Sequence, residues 1–489
     1  MTVVIDRVSQ GAGGAGPPTS AAQRLRRKES GSGGGLYKPR TPIYPKLVHG
    51  LWRNIKWTLL IVTLAIYYVT PWLRFERPGG APDQAVLVDF AHGRFYFFWI
   101  QLWPQEFYFI TGLLVMGALA LFLATALFGR LWCGYACPQT VWTDLYIHIE
   151  RLFEGDRNAR MRLDAAPLSF DKLWRKSGKH AVWIGVAFGT GGAWIFYFHD
   201  APTLIRDFWA GQAPIQSYIS CALLTATTYL LAGTMREQVC TYMCPWPRIQ
   251  GAMLDEHSLQ VSYLRDRGEP RAPHKKGQSW EGRGDCVDCN QCVIVCPMGI
   301  DIRNGSQLEC INCGLCVDAC DEIMEKVGRP KGLVRYDSLN GLAGGKKRFV
   351  RPRTILYTGF MFLGLTVLGL FLTTLHSAKA ELIRMQGQPY YVEEAGVRNQ
   401  YRLQLITKQQ QPTEFRIRLE GLPEGAQVIG LDEVITLQPG EETMKTLIIQ
   451  VPKPAYKGEF RIELKGRITP GDFEIEDNIE FLGPSAYAL

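Results

Sequence analysis

The sequence lacks the motifs by which many redox proteins bind a nucleotide or a haem. No G-x-G-x-x-G follows a predicted strand, no G-x-x-x-x-G-K-[ST] occurs, and the haem attachment motif C-x-x-C-H is missing. No basic strip interleaved with aromatic residues is present, so a nucleic-acid partner is not expected. Any electrons must therefore come from an external donor such as a quinol, a soluble ferredoxin or another membrane protein.

Residues 1–35 contain almost no apolar side chains. Glycine, serine and proline dominate, and a segment that buries so little surface cannot offset the entropy cost of ordering. We predict a disordered arm here. No apolar core follows a basic start, so the arm is not a secretory signal, and the first apolar segment is expected to be an uncleaved anchor.

Five segments are long and apolar enough to cross a bilayer as helices, which takes roughly 20 residues each. The second and the fifth contain no charged residue. The aromatic stretch 95–110 is broken by Pro104 and is predicted to be an interfacial segment that leads into the second span. The predicted spans are residues 55–73, 108–128, 181–198, 215–235 and 354–375.

Lysine and arginine are distributed unevenly around these spans. They are concentrated before the first span, between the second and third, and before the fifth, whereas the other loops are poor in them. The positive-inside rule then places the amino terminus and residues 129–180 and 236–353 in the cytoplasm. An odd number of spans leaves residues 376–489 outside. These features predict a multi-pass membrane protein whose carboxyl-terminal domain lies on the side of the membrane opposite the cytoplasm.

The carboxyl-terminal segment has a different pattern. Stretches such as EFRIRLEGL and GEFRIELKGRI alternate apolar and polar residues between turns rich in proline and glycine. This pattern predicts an antiparallel β-sandwich of about 100 residues. The segment contains no cysteine, so it lacks the disulfide of antibody domains, and we expect a module for stability or interaction.

Eight of the thirteen cysteines fall within residues 286–320, in two C-x2-C-x2-C-x3-C runs. This is the spacing of bacterial ferredoxins with two clusters: a short loop curls three thiolates onto one iron–sulfur cube, and the fourth cysteine of each run binds the other cube. The first predicted [4Fe-4S] site takes Cys286, Cys289, Cys292 and Cys320, and the second takes Cys310, Cys313, Cys316 and Cys296.

Two other interpretations of these runs are disfavoured. Structural zinc sites use paired C-x2-C units rather than two such runs. Disulfides require an oxidising compartment, whereas the charge pattern places this segment in the cytoplasm.

Four further cysteines form two C-x3-C-P motifs. Cys133 and Cys137 follow the second predicted span, and Cys240 and Cys244 follow the fourth. Because the residue before a proline disfavours helix, each motif is predicted at the joint between a span and a surface helix. Pro138 is expected to open an amphipathic helix with Val141, Leu145, Ile149 and Leu152 on one side. If the two spans pack together, the four thiolates form a soft site suited to Cu(I), zinc or a further iron–sulfur centre.

Other candidate ligands are isolated in the sequence. Cys221 lies within the fourth span and is expected to pack in the core. Met243 is more typical of a gap filler than of a soft ligand, and His148 and His199 are more typical of interfacial histidines than of metal ligands.

The order of these features resembles the CcoG/FixG/RdxA family of cytochrome c oxidase accessory proteins, which are membrane-bound polyferredoxins. The resemblance extends from about residue 36 over nearly the whole chain, and GRLWCGYACPQTVW and CTYMCPWPRIQGAMLDE are its most specific parts. It implies two [4Fe-4S] clusters on the eight ferredoxin cysteines and an external immunoglobulin-like domain. It also implies a cupric reductase role, in which Cu(II) becomes Cu(I) for assembly of a cbb3-type oxidase.

The implied partners are the lipid bilayer, copper ions, and either oxidase subunits or a copper transporter or chaperone; a homo-oligomer is left open. Two other functions fit the same cysteines. One is a membrane ferredoxin that serves another redox partner, as quinol-dehydrogenase subunits do, and the other is an assembly scaffold.

We therefore expect an α-helical integral membrane protein of about five spans, with a cytoplasmic two-cluster ferredoxin domain and a carboxyl-terminal β-sandwich. The predicted domains are the arm (1–35), a membrane domain with four spans (36–260), the ferredoxin domain (261–345), the fifth span (346–378) and the periplasmic domain (379–489).

Overall fold

A computed structural model of the chain describes residues 42–77, 81–275, 277–346, 348–373, 378–409, 411–470 and 473–485. The chain divides into two compact units, residues 1–43 and residues 44–489, and every described helix and strand belongs to the second unit. The arm predicted to be disordered, residues 1–35, lies outside the described residues.

Helices form most of the chain up to residue 373. Short turns join the longer helices. Several helices have a proline in their first turn, because proline has a helical φ and lacks the N–H that would need a hydrogen-bond partner there. They are α1 Leu51–Val69, α2 Tyr108–Phe128, α3 Leu131–Tyr135, α4 Pro138–Glu154, α5 Arg157–Ala165, α6 Phe170–Ile195, α7 Ala201–Trp209, α8 Ile215–Thr228, α9 Trp246–Met253, α10 Arg265–Gly268, α11 Gln291–Ile294, α12 Leu315–Lys326, α13 Leu339–Leu342 and α14 Pro352–Thr373.

Four described helical segments are long and apolar enough to cross a bilayer: Leu51–Trp72, Tyr108–Phe128, Ile215–Met235 and Pro352–Leu372. They match the first, second, fourth and fifth predicted spans within a few residues. The first begins earlier than predicted, at Leu51. Its early charges, Arg53 and Lys56, are buried in protein instead of ending the helix.

The third predicted span, residues 181–198, falls in α6, and the rest of α6 differs from the prediction. This helix starts at Phe170, where the Ser169 side chain accepts a hydrogen bond from the backbone N–H of Lys172. Its first half is rich in lysine and arginine, and α6 is not among the helices that are apolar enough to span. A total of five spans therefore stays a prediction.

The aromatic stretch before α2 forms strands that the sequence pattern did not predict. β1 Val86–Asp89, β2 Arg94–Phe97 and β3 Ile100–Leu102 make a three-stranded antiparallel sheet. Leu87 and Tyr96, which pair directly across β1 and β2, are buried. Pro104 then opens a single 3₁₀ turn that leads into α2.

The two ferredoxin runs lie between a pair of antiparallel strands, β4 Gln260–Tyr263 and β5 Val334–Asp337. The register places Val261 opposite Tyr336. Val261, Met324 and Leu333 belong to one buried core with several of the cysteines. The strand pair therefore closes the loops into one body whose two short helices, α11 and α12, each begin beside a cysteine.

Residues from Ala378 onward form two antiparallel sheets, as the alternating pattern predicts. One sheet has the order β10–β12–β8–β6 with β7 beside β8, and the other has the order β11–β9–β13–β14. Tyr401, Phe415, Leu447 and Phe481 are fully buried in one core shared by both sheets. The strands are β6 Ala378–Arg384, β7 Tyr391–Glu393, β8 Gly396–Thr407, β9 Thr413–Glu420, β10 Gln427–Ile429, β11 Val434–Leu437, β12 Glu442–Val451, β13 Phe460–Thr469 and β14 Phe473–Phe481.

Candidate metal centres

The structure gathers the first predicted set of ligands around one cavity. Cys286, Cys289, Cys292 and Cys320 all line it. The first three come from a single loop, and Cys320 comes from α12. The donor set and the cavity together fit a [4Fe-4S] cube, which takes one thiolate at each iron.

The second predicted set lines a neighbouring cavity. Cys310 and Cys313 come from the second loop, Cys316 comes from the first turn of α12, and Cys296 comes from the end of the first run. Cys292 borders both cavities. The two sites are therefore adjacent, as a relay for single electrons requires.

Both loops turn through the same backbone conformation. The residues on either side of the middle cysteine have positive φ: Asp288 (53°) and Asn290 (56°) in the first run, and Asn312 (54°) and Gly314 (72°) in the second. Asn, Asp and Gly are the residues that tolerate this left-handed conformation. Two left-handed residues around the middle cysteine turn the backbone sharply, which lets three cysteines of one loop line a single cavity.

Arg303 holds the first loop in place, and sequence reasoning missed it. Its buried guanidinium bonds to Asp288 at 2.6 Å, to Asn290 at 2.5 Å and to Asp301 at 2.7 Å. It therefore fixes both left-handed residues of the first run. Burial raises the pKa of the Cys292 thiol to about 11, and the nearby Arg303 charge opposes that rise.

Burial also raises the pKa of three further thiols in the two ferredoxin runs. It raises the pKa of Cys310 to about 11 and that of Cys296 and Cys320 to about 12, and neighbouring thiols add to the rise. Such thiols hold a negative charge only when a cation offsets it. Iron bound by these cysteines would supply that positive charge, because cysteine binds metal as the thiolate.

The two C-x3-C-P motifs lie at joints, as predicted. Cys133 sits in the short helix α3, and Cys137 is the extended residue before α4. Cys240 lies in a π-helical turn, Val239–Met243, and Cys244 is the extended residue that ends it. Cys133 lies near the other three thiols of the two motifs. Burial raises the pKa of Cys133 to about 12, and Cys137, Cys240 and Cys244 raise it further.

The first motif is attached directly to the second ferredoxin loop. Tyr135 donates its hydroxyl to the Cys313 carbonyl at 3.0 Å. A Cβ on Gly134 would lie 2.7 Å from the Ile311 carbonyl oxygen, so only glycine permits this approach. Cys133 also shares a buried core with Ile311 and Cys313.

Arg130 ties three segments together and was also missed. Its guanidinium donates to the carbonyls of Leu308 and Cys310 in the ferredoxin loop and to the Pro247 carbonyl on α9. The side chain is buried, and burial lowers its pKa while nearby Cys133 and Cys310 raise it. A single arginine after an apolar span gives no sequence signal beyond membrane orientation, so this role could not be predicted.

The span α1 is also joined to the ferredoxin body. Asp318 of α12 accepts hydrogen bonds from the backbone N–H groups of Trp52 at 3.3 Å and Arg53 at 2.8 Å, in the first turn of α1. A carboxylate at this position satisfies free N–H groups and complements the helix dipole. The cysteine-bearing domain is thus held at the ends of both α1 and α2.

The amphipathic helix α4 differs from its prediction. Val141 and Ile149 are buried and Leu145 is partly buried, but Leu152 is 77% exposed. The buried face instead includes Asp144 and Glu150. These carboxylates pair with cations such as Arg53, Arg160 and Arg236, which the apolar periodicity alone did not reveal.

The isolated candidates stay outside the thiol group. Cys221 is buried in a core with Ile195 and Leu204, as expected. Met243 is exposed and fills no gap, which corrects that expectation. His148 is exposed and lies against the Trp57 ring, and His199 is exposed. Within the part of the chain that the structure describes, no three His, Cys, Asp or Glu side chains form a group that could hold a single metal ion.

Three family models match segments of this sequence. Residues 235–339 match a 4Fe-4S dicluster domain, residues 110–155 match a 4Fe-4S binding domain, and residues 368–484 match the IG-like fold at the C-terminal of FixG. The two iron–sulfur matches include the C-x3-C-P motifs as well as the ferredoxin runs.

Three curated proteins are similar over most of the chain. The nitrogen fixation protein FixG of Rhizobium meliloti is 47% identical over 464 residues, covering 86% of this chain and 88% of that protein. The proteins RdxA and RdxB of Cereibacter sphaeroides are 47% and 46% identical; they cover 79% and 84% of this chain, and the matches span 84% and 88% of their own lengths. A solved FixG-related protein from Vibrio parahaemolyticus is 24% identical over 22% of this chain and 97% of that chain, with a TM-score of 0.20.

Proposed function

This chain belongs to the family of FixG, RdxA and RdxB, which are iron–sulfur proteins of electron transfer, and we propose that it transfers electrons to Cu(II) and so reduces Cu(II) to Cu(I). One observation carries the proposal. Cys133 of the first C-x3-C-P motif lies in one buried core with Cys313 of the second ferredoxin loop. Cys240 of the second motif lines a cavity together with Pro297 and Ile311. Both motifs therefore adjoin the second ferredoxin site.

The eight ferredoxin cysteines are proposed to hold two cubes. Cys286, Cys289, Cys292 and Cys320 would bind one, and Cys310, Cys313, Cys316 and Cys296 the other, because each set lines one cavity. When bound, such clusters supply one-electron transfer over a wide range of potentials. The chain's part is to bury these thiols, curl the two loops and keep the sites adjacent.

The four thiols of the C-x3-C-P motifs are proposed as the site at which the chain transfers electrons to Cu(II). Thiolates stabilise Cu(I) relative to Cu(II), which raises the potential of copper near sulfur ligands and favours its reduction. Each Cu(II) gains one electron. A reduced donor, which we take to be a quinol or a soluble ferredoxin, loses one electron for each copper ion, so the charge balances.

The cellular role and place are proposed from the family resemblance. Cu(I) would be delivered to a cbb3-type oxidase during assembly, through oxidase subunits or a copper transporter or chaperone. The chain would lie in the inner membrane of a bacterium, with the ferredoxin domain in the cytoplasm and the immunoglobulin-like domain in the periplasm.

A thiol variant tests the copper step. The anaerobically reduced full chain should convert Cu(II) to a Cu(I)–chelator complex that is followed by absorbance. The double variant Cys133→Ser, Cys240→Ser should slow this at least about tenfold, because serine is a harder and far less acidic ligand than cysteine. Absorbance of the ferredoxin-domain clusters should remain.

Cys221→Ala is the matched control, since Cys221 is buried in a separate core. It should reduce copper at the rate of the unaltered chain. Copper reduction at an undiminished rate in the double variant would remove the membrane thiols from the copper step. Failure of the unaltered chain to reduce copper at all would favour an electron-transfer protein for another partner.

A further inference from the structure

The two C-x3-C-P motifs end in the way the first ferredoxin run ends. Cys137, Cys244 and Cys296 each precede a proline. At the membrane joints this cysteine has extended backbone, with φ −62° and ψ 128° at Cys137 and φ −82° and ψ 121° at Cys244. Each motif therefore places one cysteine in a helical turn and one on the extended residue that follows the break.

One fully buried side chain connects the first motif to the helix that follows the second motif. The Cys133 thiol donates to Gln250 Oε1 at 3.1 Å, and Gln250 lies on α9, the helix that follows the second motif. An amide carries both a donor and an acceptor, so Gln250 can also donate to the sulfur once the thiol has lost its proton. Arg130 reinforces the connection by donating to the Pro247 carbonyl on α9 at 2.6 Å.

The joined motifs face the second ferredoxin site. A small cavity is lined by Cys240 and Gln139 from the membrane side and by Pro297, Met298 and Ile311 from the ferredoxin side. Cys133 packs in one core with Cys313. One cysteine of each motif thus borders the second ferredoxin site.

From this arrangement we propose that Cys133, Cys137, Cys240 and Cys244 together hold a third [4Fe-4S] cluster. Both motifs lie within segments that match 4Fe-4S binding models, although each segment contributes only two of the four thiols. The complete site exists only where the two joints meet. The proposal goes beyond the copper step and changes the part that these thiols play in it. Thiolates bound to iron would not bind copper themselves, so the third cluster would pass the electron to Cu(II), and the cluster can be present whether or not copper is the electron acceptor.

A cube suits this donor set better than a single ion. One tetrahedral Zn²⁺ ion needs its four sulfur atoms about 2.3 Å from one point. A cube receives each thiolate at a different iron, so it can bridge ligands from two separate helix joints. Arg130, buried beside the site without an ion pair to a carboxylate among the described residues, supplies positive charge to offset four thiolates.

Iron counting tests the proposal. The full chain, purified anaerobically and reconstituted with iron and sulfide, should contain about twelve iron and about twelve sulfide per chain, and the two ferredoxin sites alone would give about eight. Mössbauer spectra should assign the iron to [4Fe-4S] centres. The chain has thirteen cysteines, so only five remain outside the ferredoxin runs.

Two variants identify the ligands. Cys221→Ala should retain about twelve iron atoms, which leaves only the four motif cysteines for a third cube. Cys137→Ser with Cys244→Ser should fall to about eight. If that variant does not accumulate, the counts for the unaltered chain and Cys221→Ala still decide the question.

About eight iron atoms in the unaltered chain would overturn the proposal. So would a stoichiometric copper or zinc ion that is lost in the Cys137→Ser, Cys244→Ser variant, or about twelve iron atoms retained in that variant. Copper reduction is measured on the same samples. A chain with eight iron atoms that still reduces Cu(II) would refute the third cluster and leave the proposed function standing.

Discussion

Arg130 is a buried cation that touches both groups of cysteines. It bonds to the Cys310 carbonyl and lies near the Cys133 thiol. A buried charge without a carboxylate partner destabilises the fold unless other nearby groups stabilise it. A cluster with four thiolates carries net negative charge that increases on reduction, so Arg130 should stabilise the reduced state.

Replacing Arg130 should therefore make the clusters harder to reduce. We expect Arg130→Gln to lower the midpoint potential of the second ferredoxin site by on the order of 50 mV, from the loss of one charge nearby at an intermediate dielectric. A redox titration followed by electron paramagnetic resonance measures this shift. Arg248→Gln, at an exposed position of α9, is the control. Equal potentials in Arg130→Gln and the unaltered chain would show that Arg130 acts only in packing.

The short elements between the spans and the ferredoxin loops decide how the sites meet. α3 and the π-helical turn Val239–Met243 each interrupt a helical path just before a proline. The interruptions leave Gly134 with its backbone against the Ile311 carbonyl. Docking of the ferredoxin body thus depends on close backbone contact at α3.

A side chain at Gly134 should weaken that docking. In Gly134→Val the new Cβ would lie 2.7 Å from a backbone oxygen that has little freedom to move. Overpacking of this kind costs about 1–3 kcal/mol, which should lower the temperature at which cluster absorbance is lost by several degrees. A thermal melt followed by absorbance measures it.

Gly117→Val is the matched control for Gly134→Val. It lies in α2, and a Cβ there meets nothing within 4 Å, so its melt should be unchanged. Loss of cluster absorbance at the same temperature in both variants would argue that contact at α3 does not stabilise the ferredoxin body.

In the whole molecule, the ferredoxin domain and the β-sandwich contact different parts of the helical region. The cysteine-bearing domain contacts the first turn of α1 and the short helix α3 that follows α2, whereas Lys408 of the β-sandwich pairs with Glu106 in the turn just before α2. α2 runs between these two regions. The ferredoxin domain and the β-sandwich therefore make contact near opposite ends of one apolar helix.

Epitope tags should reveal the absolute orientation. Gly277 and Gly440 both have positive φ and open surroundings, so each can accept an insertion. In intact spheroplasts a tag at Gly440 should be cleaved by external protease, and a tag at Gly277 should be cleaved only after permeabilisation. Protection of the Gly440 tag together with exposure of the Gly277 tag would reverse the orientation that the lysine and arginine distribution predicts.

Features that depend only on short stretches of chain could be predicted from the sequence. Apolar runs of bilayer length located four of the helices, and alternation located the β-sandwich. The spacing in each ferredoxin run predicted the ligand sets that line the two cavities, because a loop of a few residues has few ways to gather three thiols. The β1–β3 sheet was missed, since aromatic residues suit both a membrane interface and a strand.

Contacts between segments that are distant in the sequence became visible only in the folded structure. The convergence of Cys133 and Cys137 with Cys240 and Cys244, and the roles of Arg130, Gly134 and Gln250, depend on how separate helices pack. Sequence spacing carries no information about such contacts, because the intervening chain is long and flexible enough to allow many arrangements before the core forms.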